Sequence, residues 1–461
     1  MTTYTIRTSQ HLDRPLAEVF DFFARPENLA RLTPRGLGFE LRSTDRRMRP
    51  GLVIEYRIRP LLNFAIGWTS GISEYAPGSR FVDVQLRGPY RTWRHVHEFS
   101  EEAGGTRIDD EVTYSLPLGP LGEAVHALVV RPSLRQIFGF RRAAMQRLLP
   151  RRETREGPMT VAVAGGSGFV GGEIAAELDR RGHRVIVLSH RPEAAGERLP
   201  DGIEIREADV TRADGLADAL RGVDALVIAI AFPNLPIEEP ARDHTFETVD
   251  AGGTEHLAAA AARSGIRRLV YISGVGAAPD AERHWFRAKW RAETAVRGSG
   301  IDFTIIRPTW IFGPRDVSLN RFLGFARALA FVPLSNFGGQ LMAPVFVRDV
   351  AALAADALQD DAARNEVFEI AGPEAMPMRD VIRRALRVAE IWRPLLPAPA
   401  PLVKLVAAVL QRLPGRLLTP DAIDFVNQPA VADNRKLLER MPRRLTPFED
   451  GLRTYLTLDG E

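Results

Sequence analysis

A glycine-rich run directly after a short apolar strand constrains the fold of this chain more than any other feature. The run reads AGGSGFVG; it follows the apolar residues Thr160–Ala164 and precedes a helical pattern. Gly165 allows a tight turn, Gly168 allows close approach of the backbone to a pyrophosphate, and Gly171 allows the helix to pack on the strand. The N–H groups at the start of that helix would then face the phosphates. The run therefore predicts a dinucleotide site formed by Gly165, Gly166, Ser167, Gly168, Phe169, Val170 and Gly171.

Further short apolar strands alternate with helical segments after this run. We predict them at 184–188, 203–208, 225–230, 268–272 and 303–306. Buried strands that alternate with helices are typical of a parallel, doubly wound α/β sheet of the Rossmann type, whose ligands lie at the carboxyl ends of the strands. Residues at those ends are expected to contact the cofactor: Ser189, His190, Arg191, Asp209, Val210, Ala229, Ala231, Ser273 and Pro308.

The end of the second strand bears on the choice of cofactor. Sites that prefer NAD place an Asp or Glu there to hold the ribose 2′-OH. This chain has Ser189, His190 and Arg191 instead. A serine and an arginine suit a 2′-phosphate, so we expect NADP(H) to be preferred over NAD(H).

The first third of the chain has a different pattern. We predict an opening strand, a short helix and then a series of short strands with alternating apolar residues, separated by Gly and Pro. An amphipathic stretch at 121–149 predicts a closing helix, which is kinked before Pro132. The charged run RRETREGP then lacks apolar periodicity. We therefore expect an α+β ligand-binding domain over 1–148, a linker over 149–158 and a nucleotide-binding domain over 159–461, with 376–461 contributing a substrate cap.

Aromatic and histidine side chains concentrate on the strands of the first domain. On the strand that begins at Thr92, alternation puts Trp93, His95 and His97 on one face, and Tyr56 and Trp68 lie on neighbouring strand candidates. These five residues are the expected lining of a ligand cavity, although plain core is an equal alternative. The two histidines could ligate a metal, but no third ligand with suitable spacing is evident, so the sequence predicts no metal site.

Composition excludes several classes of protein. The chain has no Cys, which rules out disulfides, thiol nucleophiles and Cys-based metal sites. The net charge of +3 is not gathered into a basic tail, so nucleic acid is not an expected partner. No apolar run reaches bilayer-spanning length, and no signal pattern is present, so we expect a cytoplasmic protein. The apolar run at 402–413 is expected to be core, with a partner site or a peripheral membrane contact as the less favoured alternatives.

The first 148 residues resemble the START/polyketide-cyclase-like (SRPBCC) superfamily. The runs that carry this resemblance are DRPLAEVFDFFARPENLARLTP, GPYRTWRHVHEF and GGTRIDDEVTYSLPLGPLG. The resemblance implies a helix-grip fold with a cavity between the sheet and the long helix, usually holding an apolar ligand.

The remainder resembles the extended and atypical short-chain dehydrogenase/reductases. The matching runs are AGGSGFVG, ADVT, VDAGGTEHL, RRLVYISG, FRAKWRAETAV, FTIIRPTWIFGP and PVFVRDVA. Within that superfamily the chain is most similar to the group that includes the accessory NADPH-binding subunit of respiratory complex I. The later runs FEIAGPEAMPMRDVI, PAPLVKLVAAVLQRLP and LLTPDAIDF support this narrower match.

The second resemblance also implies a catalytic set, which is incomplete here. The superfamily uses Tyr-x-x-x-Lys with a nearby Ser or Thr, where the Tyr exchanges the proton as hydride moves. Lys289 and Ser273 occupy two of these positions and are expected to contact the cofactor, but the Tyr position is Trp285. Indole has no titratable proton near neutral pH. His284 is the obvious substitute acid, although neighbouring helical residues diverge by about 100°, which favours a surface role.

Three functions therefore remain open at this point. In the first, the chain is an NADP(H)-dependent reductase with unusual proton donation, which acts on an apolar substrate that the first domain binds or delivers. Alternatively it is a non-catalytic cofactor-binding, redox-sensing or assembly protein, or a carrier of a lipid-like or quinone-like ligand.

Overall fold

The fold described below comes from a computed structural model of the chain. It describes residues 2–457 apart from 35–36, 44, 46, 60–64, 118, 151–156, 233–235, 329 and 412–418. The middle of the predicted linker and the end of the apolar run at 402–413 therefore lie outside the described residues.

Residues up to 148 form a seven-stranded antiparallel sheet with helices on one face. The strand order is β1-β7-β6-β5-β4-β3-β2. The elements in chain order are β1 (Thr3–Leu12), α1 (Leu16–Phe23), α2 (Asn28–Arg31), β2 (Glu40–Leu41), β3 (Val53–Ile58), β4 (Ile66–Ala76), β5 (Arg80–Arg87), β6 (Thr92–Glu102), β7 (Gly105–Ser115), α3 (Gly119–Val125) and α4 (Arg131–Leu148). A π-helical turn, His126–Val130, separates α3 from α4 at the place where the sequence predicts a kink. Phenylalanines from α1, β5, β6 and α4 form a core between helices and sheet.

Residues from 160 onward form a seven-stranded parallel sheet, as the alternation of strands and helices predicts. Its order is β10-β9-β8-β11-β12-β13-β18. The elements that build it are β8 (Thr160–Ala164), α5 (Phe169–Arg180), β9 (Arg184–Ser189), α6 (Pro192–Gly196), β10 (Glu204–Glu207), α7 (Leu216–Ala219), β11 (Ala225–Ile228), α8 (Gly253–Arg263), β12 (Arg268–Ile272), α9 (His284–Arg297) and β13 (Asp302–Pro308). The order of strands reverses between β8 and β11, which is where open α/β sheets bind ligands. The Rossmann-type fold is confirmed. The seventh strand, β18, was not predicted from the sequence.

The C-terminal region consists of helices and two-stranded pairs. Its elements are β14 (Ile311–Phe312), α10 (Ser318–Ala328), β15 (Val332–Ser335), β16 (Leu341–Met342), β17 (Val345–Phe346), α11 (Val347–Ala357), β18 (Glu366–Ile370), β19 (Met376–Pro377), α12 (Met378–Val388), β20 (Leu395–Ala398), α13 (Ala400–Leu410), α14 (Pro420–Val426), α15 (Arg435–Arg440) and α16 (Phe448–Leu456). Among the described residues, no helix combines the length and the apolar character that crossing a bilayer requires.

Helix α4 is buried on two sides. One side packs on the antiparallel sheet, and the other packs on α16, where Ala143 joins a core that contains Leu452 and Tyr455. At Gly139 a Cβ atom would lie only 2.5 Å from the carbonyl oxygen of Tyr455. Polar contacts add to this packing, including Arg31 to Asp201 at 2.9 Å. The two parts of the chain are thus joined by a packed helix as well as by the connecting segment.

Candidate functional site

The glycine-rich turn has the geometry that its spacing predicts. Gly165 has a φ of 81°, which favours glycine. A Cβ on Gly165 would lie 2.3 Å from the carbonyl oxygen of Ala229, and one on Gly171 would lie 2.3 Å from that of Gly165. Gly168 is the N-cap of α5, and no side chain caps the helix. The N–H groups of the first turn of α5 therefore remain available to an anion.

The residues after β9 and β10 form the edge of this turn. The hydroxyl of Ser189 is buried and accepts the N–H of Arg191 at 3.1 Å. The side chains of His190 and Arg191 are exposed, and partial burial together with the Arg191 charge lowers the pKa of His190. Asp209 accepts the N–H and the hydroxyl of Thr211, at 3.0 and 2.7 Å. The carbonyl of Val210 contacts Nδ1 of His256 at 3.0 Å.

Small or apolar residues end the central strands on either side of the turn. Ala229 is half-buried and Ala231 is exposed, and neither side chain is large enough to fill the space above Gly165. Pro308 is buried at the end of β13. Ser167, Phe169 and Val170 are half-buried. The predicted cofactor residues thus lie along the carboxyl edge of the parallel sheet.

Lys289 forms a buried ion pair. Its Nζ lies 2.7 Å from Oδ1 of Asp250, and 5.6 Å from the centre of the Tyr271 ring. Burial opposes the charge of Lys289, but the Asp250 carboxylate raises its pKa overall. Burial also raises the pKa of Asp250, and that of Tyr271 to about 12. Lys289 therefore stays cationic, and Tyr271 stays protonated at neutral pH.

Ser273 is tied to a second buried carboxylate. Its hydroxyl donates to Oε1 of Glu293 at 2.7 Å. Glu293 is fully buried and also pairs with Arg307 at 2.7 Å and Arg297 at 2.9 Å. A serine hydroxyl has one proton to donate. In this arrangement Ser273 can accept a hydrogen bond from a ligand but cannot donate one.

Trp285 and His284 diverge, as expected for neighbours on a helix. Trp285 is buried, and its indole Nε1 has no hydrogen-bond partner among the described residues. His284 is exposed at the start of α9, with Nε2 2.9 Å from Oε2 of Glu238. Trp285 lies in an apolar cluster at the sheet edge that also contains Phe232, Phe246, Val249, Ala251, Ala288, Phe286 and Phe425.

The predicted cavity residues of the antiparallel sheet form two groups. Tyr56, Trp68 and Trp93 pack together, with ring centres 5.7 Å apart for the first pair and 5.3 Å for the second. His95 and His97 are buried between strands, where their ring nitrogens lie within 3.5 Å of carboxylates. Burial and the neighbouring His97 lower the pKa of His95 to about 4.

The sequence did not predict the carboxylates that contact these polar groups. Glu293 pairs with Ser273, Glu238 with His284, and Asp83 and Asp110 with the two histidines. Glu293 stands four residues after Lys289 on the same helix, which is the one local signal available. The others lie far away in sequence: strand register brings Asp83 and Asp110 to the two histidines, and a loop brings Glu238 to His284.

Comparisons with known proteins agree with this geometry. A family model described as NAD(P)H-binding matches residues 165–361. A reductase from Streptomyces griseus subsp. griseus, named (4-alkanoyl-5-oxo-2,5-dihydrofuran-3-yl)methyl phosphate reductase, is 33% identical over 244 residues, covering 51% of this chain and 75% of the relative. The NADH dehydrogenase [ubiquinone] 1 alpha subcomplex subunit 9 of Arabidopsis thaliana is 28% identical over 278 residues, covering 58% of this chain and 68% of the relative.

A solved structure resembles the chain over almost its whole length. The nucleoside-diphosphate sugar epimerase of Corynebacterium glutamicum aligns with 99% of this chain and 94% of its own, with a TM-score of 0.50 and 18% identity. At that identity the likeness concerns the fold alone. The turn geometry, the family model and the Streptomyces relative lead to one conclusion: the chain belongs to the NAD(P)H-binding family of extended short-chain dehydrogenases/reductases.

Proposed function

We propose that this chain is an NADP(H)-dependent reductase that transfers hydride to an apolar conjugated carbonyl compound, an enone or a quinone. The observation that carries the proposal is the buried indole of Trp285 at the position where the family has its proton donor. Hydride addition to a simple ketone produces an alkoxide, which needs a proton as it forms. Hydride addition to an enone or quinone produces a delocalised anion, which can take its proton later from water.

The surroundings of Trp285 support an apolar, planar acceptor. Phenylalanines from three separate segments surround the indole, including Phe246 and Phe425. The indole N–H lacks a partner among the described residues, and an unsatisfied buried donor costs about 1–3 kcal/mol. A substrate carbonyl would accept this hydrogen bond. Trp285 would then polarise the acceptor without giving up a proton.

The polar groups nearby support cofactor binding more than acid catalysis. Lys289 is held as a cation by Asp250 at 2.7 Å, which suits a hydrogen bond to the nicotinamide ribose. Arg191 is exposed beside Ser189, so a 2′-phosphate can reach it, which supports a preference for NADPH over NADH. The substrate in the name of the Streptomyces relative is an unsaturated ring that carries a carbonyl and an alkanoyl group. Its conjugated carbonyl is the kind of hydride acceptor proposed here, and its phosphate group distinguishes it from the apolar compounds proposed for this chain.

Oxidation of NADPH by a pair of acceptors tests the proposal. We expect the wild type to oxidise NADPH with a conjugated cyclic enone and to be inactive with the matching saturated ketone. Trp285→Tyr should gain activity on the saturated ketone, because it restores a titratable hydroxyl. Trp392→Tyr, at an indole that is 88% exposed, is the matched control and should behave as the wild type. Equal rates on the two acceptors in the wild type would overturn the proposal.

A second candidate function is cofactor binding without turnover. It is favoured by Ser273, whose only proton is committed to Glu293. The relative from Arabidopsis thaliana is named as a subunit of NADH dehydrogenase, so this candidate also includes a place in a protein assembly. Tight NADPH binding with no oxidation by any conjugated acceptor would favour it.

The first domain's role as an apolar ligand carrier stays a prediction. Its support is the packed group of Tyr56, Trp68 and Trp93, of which Tyr56 and Trp93 are half-buried. Titration of the full chain with an environment-sensitive apolar dye tests it. Trp93→Ala should weaken dye binding, and an unchanged titration would count against the cavity.

A further inference from the structure

A cluster of two histidines and two carboxylates lies inside the antiparallel sheet, away from the dinucleotide site. Antiparallel register places Asp83 of β5 opposite His95 of β6, and His97 of β6 opposite Asp110 of β7. His95, His97 and Asp110 are at least nine-tenths buried, and the Asp83 side chain is 19% exposed. This combination of ring nitrogens and carboxylates is the donor set that divalent transition metals prefer.

Each histidine ring lies between the two carboxylates. Oδ1 of Asp110 lies 2.5 Å from Nδ1 of His97 and 3.2 Å from Nε2 of His95. The opposite nitrogens face Asp83, whose Oδ2 lies 3.4 Å from Nε2 of His97 and 3.5 Å from Nδ1 of His95. A neutral imidazole carries one N–H. When both N–H groups point to Asp110, two lone pairs and a carboxylate oxygen converge on the Asp83 side.

Two of the three spacings between ligand atoms on the Asp83 side match a tetrahedral ion. Ligands about 2.0–2.1 Å from a tetrahedral Zn²⁺ lie about 3.4 Å from each other, by simple geometry. The two distances from Asp83 Oδ2, 3.4 and 3.5 Å, equal this edge and exceed an ordinary hydrogen bond. All three ligand atoms lie within 4.8 Å of one another.

Two further side chains, Arg141 and Tyr56, lie next to the cluster. Arg141 of α4 approaches His97 at Nδ1, 3.4 Å away, which is the nitrogen on the Asp110 side. A guanidinium only donates, so with the Nδ1 proton directed to Asp110 this approach is not a hydrogen bond. The charge of Arg141 acts on both carboxylates. Tyr56 of β3 also lies near Asp83, whose charge contributes to raising the pKa of the Tyr56 phenol after burial.

We infer that Asp83, His95 and His97 form a Zn²⁺ site, with Asp110 as the carboxylate that orients both imidazoles. Three protein ligands leave a fourth position for water or another ligand, as in zinc sites that bind exogenous groups. Asp110 then plays the part of the carboxylate behind a metal-bound histidine, which fixes the tautomer and the ring orientation. This site revises the expectation of no metal, because the third ligand comes from a neighbouring strand.

Metal stoichiometry of the tag-free full-length chain tests the site. After treatment with EDTA and desalting, the chain is equilibrated with ZnCl₂, and the bound metal is measured. We expect about one zinc ion per chain in the wild type. Asp83→Asn should lose the ion, and Asp110→Asn should bind it about 10–100-fold more weakly. Asp109→Asn, an exposed carboxylate paired with Arg107 on the same strand, and His11→Ala, an exposed histidine, should bind as the wild type.

A spectroscopic measurement on the wild type alone keeps the test decisive if a variant fails to fold. Co²⁺ in a tetrahedral site with nitrogen and oxygen ligands absorbs strongly in the visible range, and Zn²⁺ should displace it and raise the melting temperature. Absence of bound zinc and of the cobalt spectrum would overturn the inference and leave the cluster as a buried ion-pair network. Zinc retained in Asp83→Asn but lost in His11→Ala would also overturn it, since the ion would then occupy a surface site.

Discussion

At the scale of single residues, the polar groups near the sheet edge are each held by a carboxylate. Ser273 donates to Glu293, Lys289 pairs with Asp250, and His284 pairs with Glu238. Buried polar groups need such partners, since an unmade hydrogen bond is costly. The indole N–H of Trp285 has no hydrogen-bond partner among the described residues, and neither has the Tyr271 hydroxyl. A buried N–H donor without a partner thus stands at the position where the family has its proton donor.

His284 is expected to have little effect on turnover. Its imidazole is half-exposed and contacts Glu238 on the outer side of α9. An exposed side-chain contact of this kind contributes about 0–1 kcal/mol to stability. His284→Ala should therefore leave the rate of NADPH oxidation within about a factor of five of the wild type. A loss of two orders of magnitude with unchanged cofactor affinity would instead identify His284 as the proton donor.

Arg191 is expected to set the preference between the two cofactors. Its removal eliminates a hydrogen bond to a charged phosphate, worth about 1.5–3 kcal/mol, or roughly a 10–100-fold loss in NADPH affinity. NADH lacks that phosphate, so its affinity should stay the same in Arg191→Ala. Fluorescence titration of both cofactors gives the comparison, with Arg212→Ala as a control on the same sheet edge. A parallel loss for NADH and NADPH would contradict this assignment.

At the scale of elements, the strand–turn–helix unit of β8 and α5 is where sequence predicted structure best. Gly171 approaches the carbonyl of Gly165 so closely that no other residue fits, and this requirement is local, whereas the close neighbour of Gly165 is Ala229, far away in sequence. Gly168→Val should abolish NADPH binding, because its side chain would stand between the N–H groups of α5 and the pyrophosphate. Gly67→Val, on β4 with no heavy atom near its added Cβ, is the control. Retained binding in a folded Gly168→Val protein would remove the turn as the phosphate site.

The contact between α4 and α16 predicts that a glycine-to-alanine substitution in a helix destabilises this protein, whereas such a substitution usually stabilises. Gly to Ala in a helix interior ordinarily stabilises by about 0.5–1 kcal/mol. Gly139→Ala should instead destabilise by about 1–3 kcal/mol, because the new methyl meets the carbonyl of Tyr455. Gly324→Ala, exposed on α10 with open space around it, should show the ordinary stabilisation. Urea unfolding of both variants measures the difference, and a stabilised Gly139→Ala protein would mean that α4 and α16 do not pack together.

At the scale of the whole molecule, the sequence predicted the two kinds of sheet but not how they are joined. The alternation of apolar residues is a local signal, so most strands and the helix kink before Pro132 follow from it. The second packing face of α4 and the seventh strand β18 depend on distant partners. The same holds for Asp83 and Asp110, which reach His95 and His97 only through strand register. The periodicity of apolar residues shows which face of a strand or helix is buried, whereas the register between strands decides which side chains contact each other.

The most direct test of the proposed reductase is the fate of the hydride in a single turnover. The wild type is loaded with NADPH that carries deuterium at both C4 positions and is mixed with a conjugated cyclic enone in ordinary water. We expect NADP⁺ and a saturated ketone that carries one deuterium at the β carbon and a solvent proton at the α carbon. NADPH that stays bound and unoxidised in the presence of the enone would contradict the proposed reductase activity. The chain would then be a cofactor-binding protein without this chemistry.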